Sequence, residues 1–123
     1  MIRRRQGHGG KMREEKLYAT YLMASKPYGT LYIGVTGDII TRSTQHRNEE
    51  IAGFTKRYGI HRLVWFEYFG EIDAAIQREK TMKKWKRDWK INLIERDNPH
   101  WDDLYPNFFR IPVILLSSPD LFR

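Results

Sequence analysis

Residues 17–38 read LYATYLMASKPYGTLYIGVTGD, with an apolar and aromatic run on either side of a turn that contains proline and glycine. This pattern predicts a β-hairpin whose strands cover residues 17–23 and 30–35. Successive side chains of a strand point to opposite faces of the sheet. Tyr21 and Tyr32 are expected on the same face of this hairpin.

The predicted register pairs Tyr21 with Tyr32 and Ala19 with Gly34, which places two phenols beside two of the smallest residues. A slip of one residue would send the two tyrosines to opposite faces. The other face is apolar and can pack against helices; it collects Leu22, Leu31, Ile33 and Val35. The hairpin therefore predicts a small hollow lined by phenols on one face and a hydrophobic core on the other.

The elements that follow the hairpin predict an α+β domain. Asp38 is a favourable N-cap for a helix that we expect to run to about residue 50. Residues 61–69 read HRLVWFEYF, a β-branched and aromatic run that predicts another strand. Residues 71–90 have the apolar spacing of a helix, with a stripe formed by Ile72, Ala75, Ile76 and Met82.

The composition excludes several classes of protein. The chain has 123 residues, which suits one domain. No apolar run approaches the roughly 20 residues of a spanning helix, so no membrane partner is expected. The absence of cysteine excludes disulfides, thiolate zinc sites and cysteine nucleophiles, and it suits a cytoplasmic protein. We expect a flexible basic extension over residues 1–15, a globular domain over residues 16–105 and an apolar tail over residues 106–123.

Positive charge is concentrated in two segments of the chain. The net charge is +7, and the excess of lysine and arginine lies within residues 1–16 and 76–90. Such local basicity predicts an acidic partner, of which nucleic acid is the first candidate. The sequence does not indicate an oligomeric state.

Residues 83–90 read KKWKRDWK, in which cations alternate with two indoles. This alternation suits a phosphate backbone with stacked bases. The candidate nucleic-acid-binding residues are Lys83, Lys84, Lys86 and Arg87. A helix with its tryptophans inward and its lysines outward explains the same pattern equally well.

Three other features could carry chemistry. Glu79 falls in the middle of the apolar stripe, where a carboxylate needs a metal, a hydrogen-bond network or an arginine, and spacing alone favours a buried Glu–Arg pair. Tyr21 and Tyr32 could bind or deprotonate a water, although tyrosines in strands more often serve packing. Arg42 and His46 share one helical face and could hold a phosphate and relay a proton, or could form an ordinary solvated face.

The ordered set Tyr21, Tyr32-Ile33-Gly34, Arg42, His46 and Glu79 resembles the GIY-YIG nuclease family. The likeness is greatest to small stand-alone members related to the nuclease module of the excinuclease C subunit. Local runs such as MASKPYGTLYIGVT, GFTKRYGIHRLVWFE and NPHWDDLY are similar too, and the resemblance covers about residues 17–105.

This resemblance implies a fold and an activity. The fold would be α+β, with a small central three-stranded antiparallel sheet flanked by helices. The activity would be metal-dependent endonucleolytic hydrolysis of nucleic acid, with DNA a better candidate substrate than RNA. Its setting would be DNA repair or processing.

The resemblance also implies a role for each matching residue. Tyr32 would be the general base or would orient the attacking water, with Tyr21 in support. Arg42 would contact the phosphate, and His46 would shape proton transfer. Glu79 would hold one divalent metal ion, Mg²⁺ or Mn²⁺.

The chain departs from the family pattern at several positions. The first element reads ATY over residues 19–21, so only its tyrosine agrees, and residues 35–36 (VT) replace a lysine found shortly after YIG in the excinuclease module. The late family asparagine corresponds to Asn92 or Asn98. Tyr58 is a weaker active-site candidate.

Two other functions compete with the nuclease. One is a non-catalytic nucleic-acid-binding module, and the other is a protein-interaction domain that uses the apolar residues 111–116. The combination of Tyr32, Arg42 and Glu79 favours the nuclease, because a pure binder need not keep a carboxylate near phosphates.

Overall fold

A three-stranded antiparallel sheet flanked by helices forms the fold, which confirms the α+β prediction. The structure, a computed structural model, describes residues 16–110. Its elements in chain order are β1 (Tyr18–Ala24), β2 (Leu31–Thr36), α1 (Ile39–Arg47), α2 (Phe54–Arg57), β3 (Arg62–Phe69), α3 (Ile72–Lys83), α4 (Arg87–Asp97) and a 3-10 helix (Tyr105–Phe109).

The strand order is β2-β1-β3, so β1 lies in the centre and both of its faces are covered. On one face, Leu22 packs with Met82 of α3 and Ile94 of α4. On the other face, Tyr21 packs with Ile39 at the start of α1. The sheet thus separates a hydrophobic core from the face that carries the tyrosines.

The hairpin register differs from the predicted one by two residues. Tyr21 pairs with Gly34, and Met23 pairs with Tyr32. The predicted faces are confirmed, because a shift of two residues leaves every side chain on its face. The shift arises at the turn, where Ser25 bonds Thr30 through both its backbone N–H and its hydroxyl, so that pairing continues through Ala24.

The helix predicted over residues 71–90 is broken, which corrects that prediction. It ends at Lys83, and α4 begins at Arg87. Between the two helices Trp85 packs against the core cluster that contains Leu93 and Ile94 of α4. Burial of this indole turns the chain at a place where the sequence has neither glycine nor proline.

The first helix agrees with its predicted start. The Asp38 carboxylate accepts a hydrogen bond from the Thr41 backbone N–H at 3.1 Å, as an N-cap does. The helix ends at Arg47, earlier than expected, because the chain leaves it through Glu49, whose φ is 58°.

The hairpin turn is attached to α4 by Arg87. Its guanidinium donates to the carbonyl oxygens of Tyr28 and Gly29 at 2.8 and 2.7 Å. The Tyr28 ring also stacks on Trp101, with 4.9 Å between ring centroids. These contacts fix the position of the hairpin relative to the helices.

A buried asparagine joins α4 to β3. The β1–β3 pairing contains an irregularity at Val64, which is skipped between Trp65 and Leu63. The Asn98 amide donates to the Val64 carbonyl oxygen at 3.1 Å, and its oxygen accepts from the Asp102 backbone N–H at 3.0 Å. Asn98 therefore satisfies backbone groups that the sheet leaves unpaired.

The ends of the predicted domain are only partly described. The basic extension (residues 1–15) and the apolar segment 111–116 lie outside the described residues. The 3-10 helix continues past residue 105, and its Phe108 packs against the core. Among residues 16–110, no helix has the length and apolar character needed to cross a membrane. The division of the chain into three parts stays a prediction.

Replacing Asn98 by alanine should destabilise the fold. Asn98→Ala leaves the buried Val64 carbonyl oxygen and the part-buried Asp102 N–H without this partner, which should lower the free energy of unfolding by about 2–3 kcal/mol. Asn92→Ala, at an exposed position of α4, is the matched control and should change it by less than about 0.5 kcal/mol. Urea denaturation of both variants measures the difference, and equal stabilities would contradict this role for Asn98.

Candidate active site

A glycine in β2 makes room for the ring of Tyr21. Tyr21 is only 1% exposed and lies opposite Gly34. A Cβ atom added to Gly34 would come within 2.5 Å of the Tyr21 hydroxyl oxygen and 2.6 Å of Cζ. Glycine inside a strand often marks such a close approach. The Tyr21 ring can therefore lie across β2 only because residue 34 has no side chain.

The Tyr21 hydroxyl begins a chain of buried hydrogen bonds. Its oxygen lies 3.0 Å from Nε2 of His46, and Nδ1 of His46 lies 3.1 Å from Oγ1 of Thr55. His46 comes from α1 and Thr55 from α2, and both are buried. The imidazole is thereby held at both nitrogens.

His46 is neutral near pH 7. Burial, with the positive charges of Arg42 and His61, lowers its pKa from 6.5 to about 4. A neutral imidazole has one donor and one acceptor nitrogen. It can therefore accept from Tyr21 while donating to Thr55, or the reverse.

Tyr21 remains a phenol at neutral pH. Burial raises the pKa of Tyr21, and the neighbouring Tyr32 adds to the rise, whereas Arg42 opposes it. The Tyr21 hydroxyl is therefore suited to donating and receiving hydrogen bonds, and not to acting as a base.

Tyr32 completes a triangle of rings and is the more accessible of the two phenols. Its ring centroid lies 6.2 Å from that of Tyr21 and 5.6 Å from that of His46. It is partly exposed, whereas the other two side chains are buried. A molecule arriving from solvent would thus meet Tyr32 first.

Arg42 supplies a positive charge beside this triangle. It lies one helical turn before His46 on α1, close enough to Tyr21 and His46 to change the pKa of both. Within residues 16–110 it forms no ion pair, so no carboxylate of these residues competes for its guanidinium with an anion from outside. An arginine of this kind can contact two oxygens of a phosphate at once.

The candidate metal ligand, Glu79, lies on α3. Its side chain is 16% exposed and one carboxylate oxygen lies 2.7 Å from the Lys83 ammonium. The partner is therefore a lysine, and the expected Glu–Arg pair is wrong. Glu79 raises the pKa of Lys83, and Tyr32 adds a smaller contribution.

The donor set around Glu79 fits a hard cation. Among the residues that the structure describes, no group of three His, Cys, Asp or Glu could enclose a metal. A zinc site of the usual kind is therefore not formed there. Mg²⁺ commonly binds through one or two carboxylates, with water and substrate oxygens completing its shell. The partly exposed Glu79 carboxylate matches this pattern.

The predicted nucleic-acid-binding residues occupy different environments. Lys83 is paired with Glu79, and Arg87 binds backbone carbonyl oxygens of the hairpin turn. Lys84 and Lys86 are exposed and form no ion pair with another described residue. Trp85 packs on the core, as the inward arrangement predicts, and Trp89 is exposed, so nucleic-acid binding by this run stays a prediction.

The sequence did not single out Thr55, whereas it named Tyr58 as a weaker active-site candidate. Thr55 is found only through its contact with His46, because a threonine in a short helix gives no signal of its own. Tyr58 lies outside the ring triangle and stacks on Phe54 in solvent. The glycine at position 34 within a strand was the available sign of a close approach.

Comparisons with known proteins agree on one family. Residues 17–92 match the family model described as the GIY-YIG catalytic domain. A UPF0213 protein of Staphylococcus saprophyticus is 36% identical over 66 residues, which cover 54% of this chain and 80% of that protein. A UPF0213 protein of Clostridium perfringens is 37% identical over 65 residues, which cover 53% of this chain and 70% of that protein.

A solved structure is similar as well. The solution NMR structure of a UPF0213 protein from Bacillus halodurans is 24% identical, with a TM-score of 0.46. The match covers 71% of this chain and 92% of that one.

A methyl group at position 34 should disturb the Tyr21 ring. Gly34→Ala should lower the free energy of unfolding by about 1–3 kcal/mol through overpacking. The cost should shrink in a Tyr21→Leu background, because the clashing ring atoms are gone. Gly70→Ala is the control, since a Cβ there meets nothing within 4 Å. Chemical denaturation of this double-mutant cycle tests the contact, and a cost independent of residue 21 would argue against it.

The buried His46 should make stability depend on pH. Unfolded His46 binds a proton below about pH 6.5, whereas folded His46 does so only near pH 4, so stability falls as the pH drops through this window. Between pH 7 and pH 5 this contribution amounts to about 2 kcal/mol.

Urea unfolding of a His46→Gln variant at the two pH values isolates this contribution. The variant should lose less stability on acidification than the wild type, while His100→Gln, at an exposed position, should lose as much as the wild type. If all three proteins lose the same amount of stability between pH 7 and pH 5, His46 is not a neutral buried imidazole.

Proposed function

The chain belongs to the GIY-YIG catalytic domain family, and we propose that it is an endonuclease that hydrolyses DNA phosphodiester bonds with a divalent cation, Mg²⁺ or Mn²⁺. Its setting would be DNA repair or processing in the cytoplasm. One observation carries the proposal: a buried Tyr21–His46–Thr55 chain, the accessible Tyr32 and an unpaired Arg42 lie together.

Hydrolysis of a phosphodiester needs a positioned water and stabilisation of charge on the phosphoryl oxygens. Arg42 would bind two of these oxygens, since its guanidinium has no carboxylate partner within residues 16–110. This contact would place the phosphorus atom in front of Tyr32. The arginine therefore both positions the substrate and stabilises the transition state.

Tyr32 would act on the attacking water. Its hydroxyl is the accessible one of the pair, so it can accept a hydrogen bond from water and orient it, or, once ionised to the phenolate, take its proton and become a phenol. Tyr21 stays protonated because burial raises its pKa, and it supports Tyr32 from inside the protein. His46, fixed by Thr55, holds the Tyr21 hydroxyl in place.

Glu79 would hold the cation. A divalent ion there would supply positive charge to a phosphate oxygen and to the leaving oxygen. Lys83 would have to leave the carboxylate when the ion binds, and its ammonium could then contact the flanking backbone together with Lys84 and Lys86.

One contact favours a second candidate function. Lys83 already neutralises Glu79, so the carboxylate has a partner without any metal. A domain in this condition could bind nucleic acid and not cut it. This non-catalytic module would show salt-dependent binding with no products under any metal.

A cleavage panel decides between the two functions. The panel contains plasmid DNA, single-stranded DNA, branched DNA and RNA. The wild type should cut at least one of these substrates when Mg²⁺ or Mn²⁺ is added, and chelation should abolish cutting. Glu79→Gln and Arg42→Ala should each slow cutting by at least about 100-fold, because each removes charge stabilisation. Glu71→Gln, an exposed acid just before α3, should leave the rate unchanged.

Circular dichroism would confirm that each variant is folded. Cutting by folded Glu79→Gln at the wild-type rate would remove the metal assignment. Binding without cutting on every substrate would support the non-catalytic module.

A further inference from the structure

Two aromatic side chains are exposed to solvent at α2, one on its first residue and one on the residue that caps its C-terminus. Phe54 is 48% exposed and Tyr58 is 50% exposed, and their ring centroids lie 4.8 Å apart. We call this pair the aromatic platform. Lys56 and Arg57 lie between them in the chain, and the Arg57 guanidinium lies 5.7 Å from the centre of the Tyr58 ring.

Packing within the fold does not account for the platform. Neither ring belongs to the two core clusters, although the same short helix buries Thr55 between them. The rings face an open cavity of about 700 Å³, lined by Glu49, Gly53, Phe54, Lys56, Arg57 and Tyr58. Exposed apolar surface bordered by polar residues commonly marks a place where another molecule binds.

The platform is directly connected to the candidate active site. Thr55, the residue after Phe54, bonds the His46 imidazole at 3.1 Å, and His46 in turn contacts Tyr21. A molecule stacked on the platform would therefore lie within about one helical turn of the residue that holds the imidazole.

The charge around the platform indicates which kind of molecule would bind there. Lys56 and Arg57 are positive, and Glu49, the one acid among the lining residues within 16–110, lies 3.0 Å from His61 Nε2. Aromatic rings beside cations bind single-stranded nucleic acid, because bases stack on the rings while the cations contact phosphates. Bases inside a duplex are already stacked and cannot use such a platform.

We propose that the aromatic platform formed by Phe54 and Tyr58 stacks unpaired bases next to the scissile phosphate, so that single-stranded or partly unpaired DNA is the preferred substrate. The position relative to the scissile phosphate rests on the proposed nuclease function, whereas the stacking itself does not. A nucleic acid supplies phosphates for the two cations and bases for the two aromatic rings, whereas a protein partner need not supply any anion. Nucleic acid is therefore the better match.

Binding without metal tests the platform separately from catalysis. Fluorescence anisotropy in EDTA would compare a labelled single-stranded DNA of mixed sequence with the same strand in a duplex. The double variant Phe54→Ala/Tyr58→Ala should bind the single strand about tenfold or more weakly, with duplex binding unchanged. The matched control Phe54→Tyr/Tyr58→Phe keeps both rings and should bind both DNAs like the wild type.

A second readout reports stacking directly. In a single strand with 2-aminopurine placed at successive positions, the wild type should change the fluorescence at particular positions, and the double alanine variant should not. Because both rings are exposed, the melting temperature of that variant should match the wild type.

Two results would overturn the proposal: single-strand binding that is unaffected by the double alanine substitution, or an equal loss for single strand and duplex. Failure of the nuclease function looks different. In that case the platform would still bind single strands while no DNA is cut. If instead DNA is cut with no preference for unpaired regions and the double variant cuts equally well, the platform fails and the nuclease stands.

Discussion

The contact on which the site depends is that of the Tyr21 ring with the bare backbone of Gly34. Because residue 34 has no side chain, the ring lies across the edge strand and its hydroxyl meets His46. The imidazole then fixes Thr55, so that a single contact between neighbouring strands orders the site as far as α2. The same contact explains why a glycine, which usually weakens a strand, stands in β2.

The central strand links the chemistry on one face to the core on the other. Tyr21 points to the site, while Thr20, on the opposite face, donates its hydroxyl to the Ala75 carbonyl oxygen of α3 at 2.7 Å. That bond sets where α3 lies relative to β1, and therefore where Glu79 lies relative to the tyrosines. The helix that carries the acid and the phenols lie on opposite sides of the sheet, and the acid is paired with Lys83.

Local patterns predicted those parts of the molecule that local physics determines. Strand alternation gave the correct face for Tyr21 and Tyr32, and the capping chemistry of Asp38 gave the correct start of α1. The hairpin register depended on bonds between Ser25 and Thr30 at the turn, which alternation does not encode. The break after α3 depended on where one indole could be buried, and no turn residue marks it.

The sequence named the residues of the candidate site and did not predict their contacts with one another. The ordered residues of the family pattern identified the phenols, the guanidinium, the imidazole and the acid, whose contributions to catalysis stay proposals. Their supporting partners, Thr55 and Lys83, lie nine and four residues along the chain from His46 and Glu79, and nothing in a single sequence shows that these side chains meet. Since Glu79 is made long after Tyr21, a polypeptide still on the ribosome holds phenols, imidazole and guanidinium before it holds the acid. Any nuclease activity of this centre would therefore begin only after α3 has been synthesised and has docked on β1.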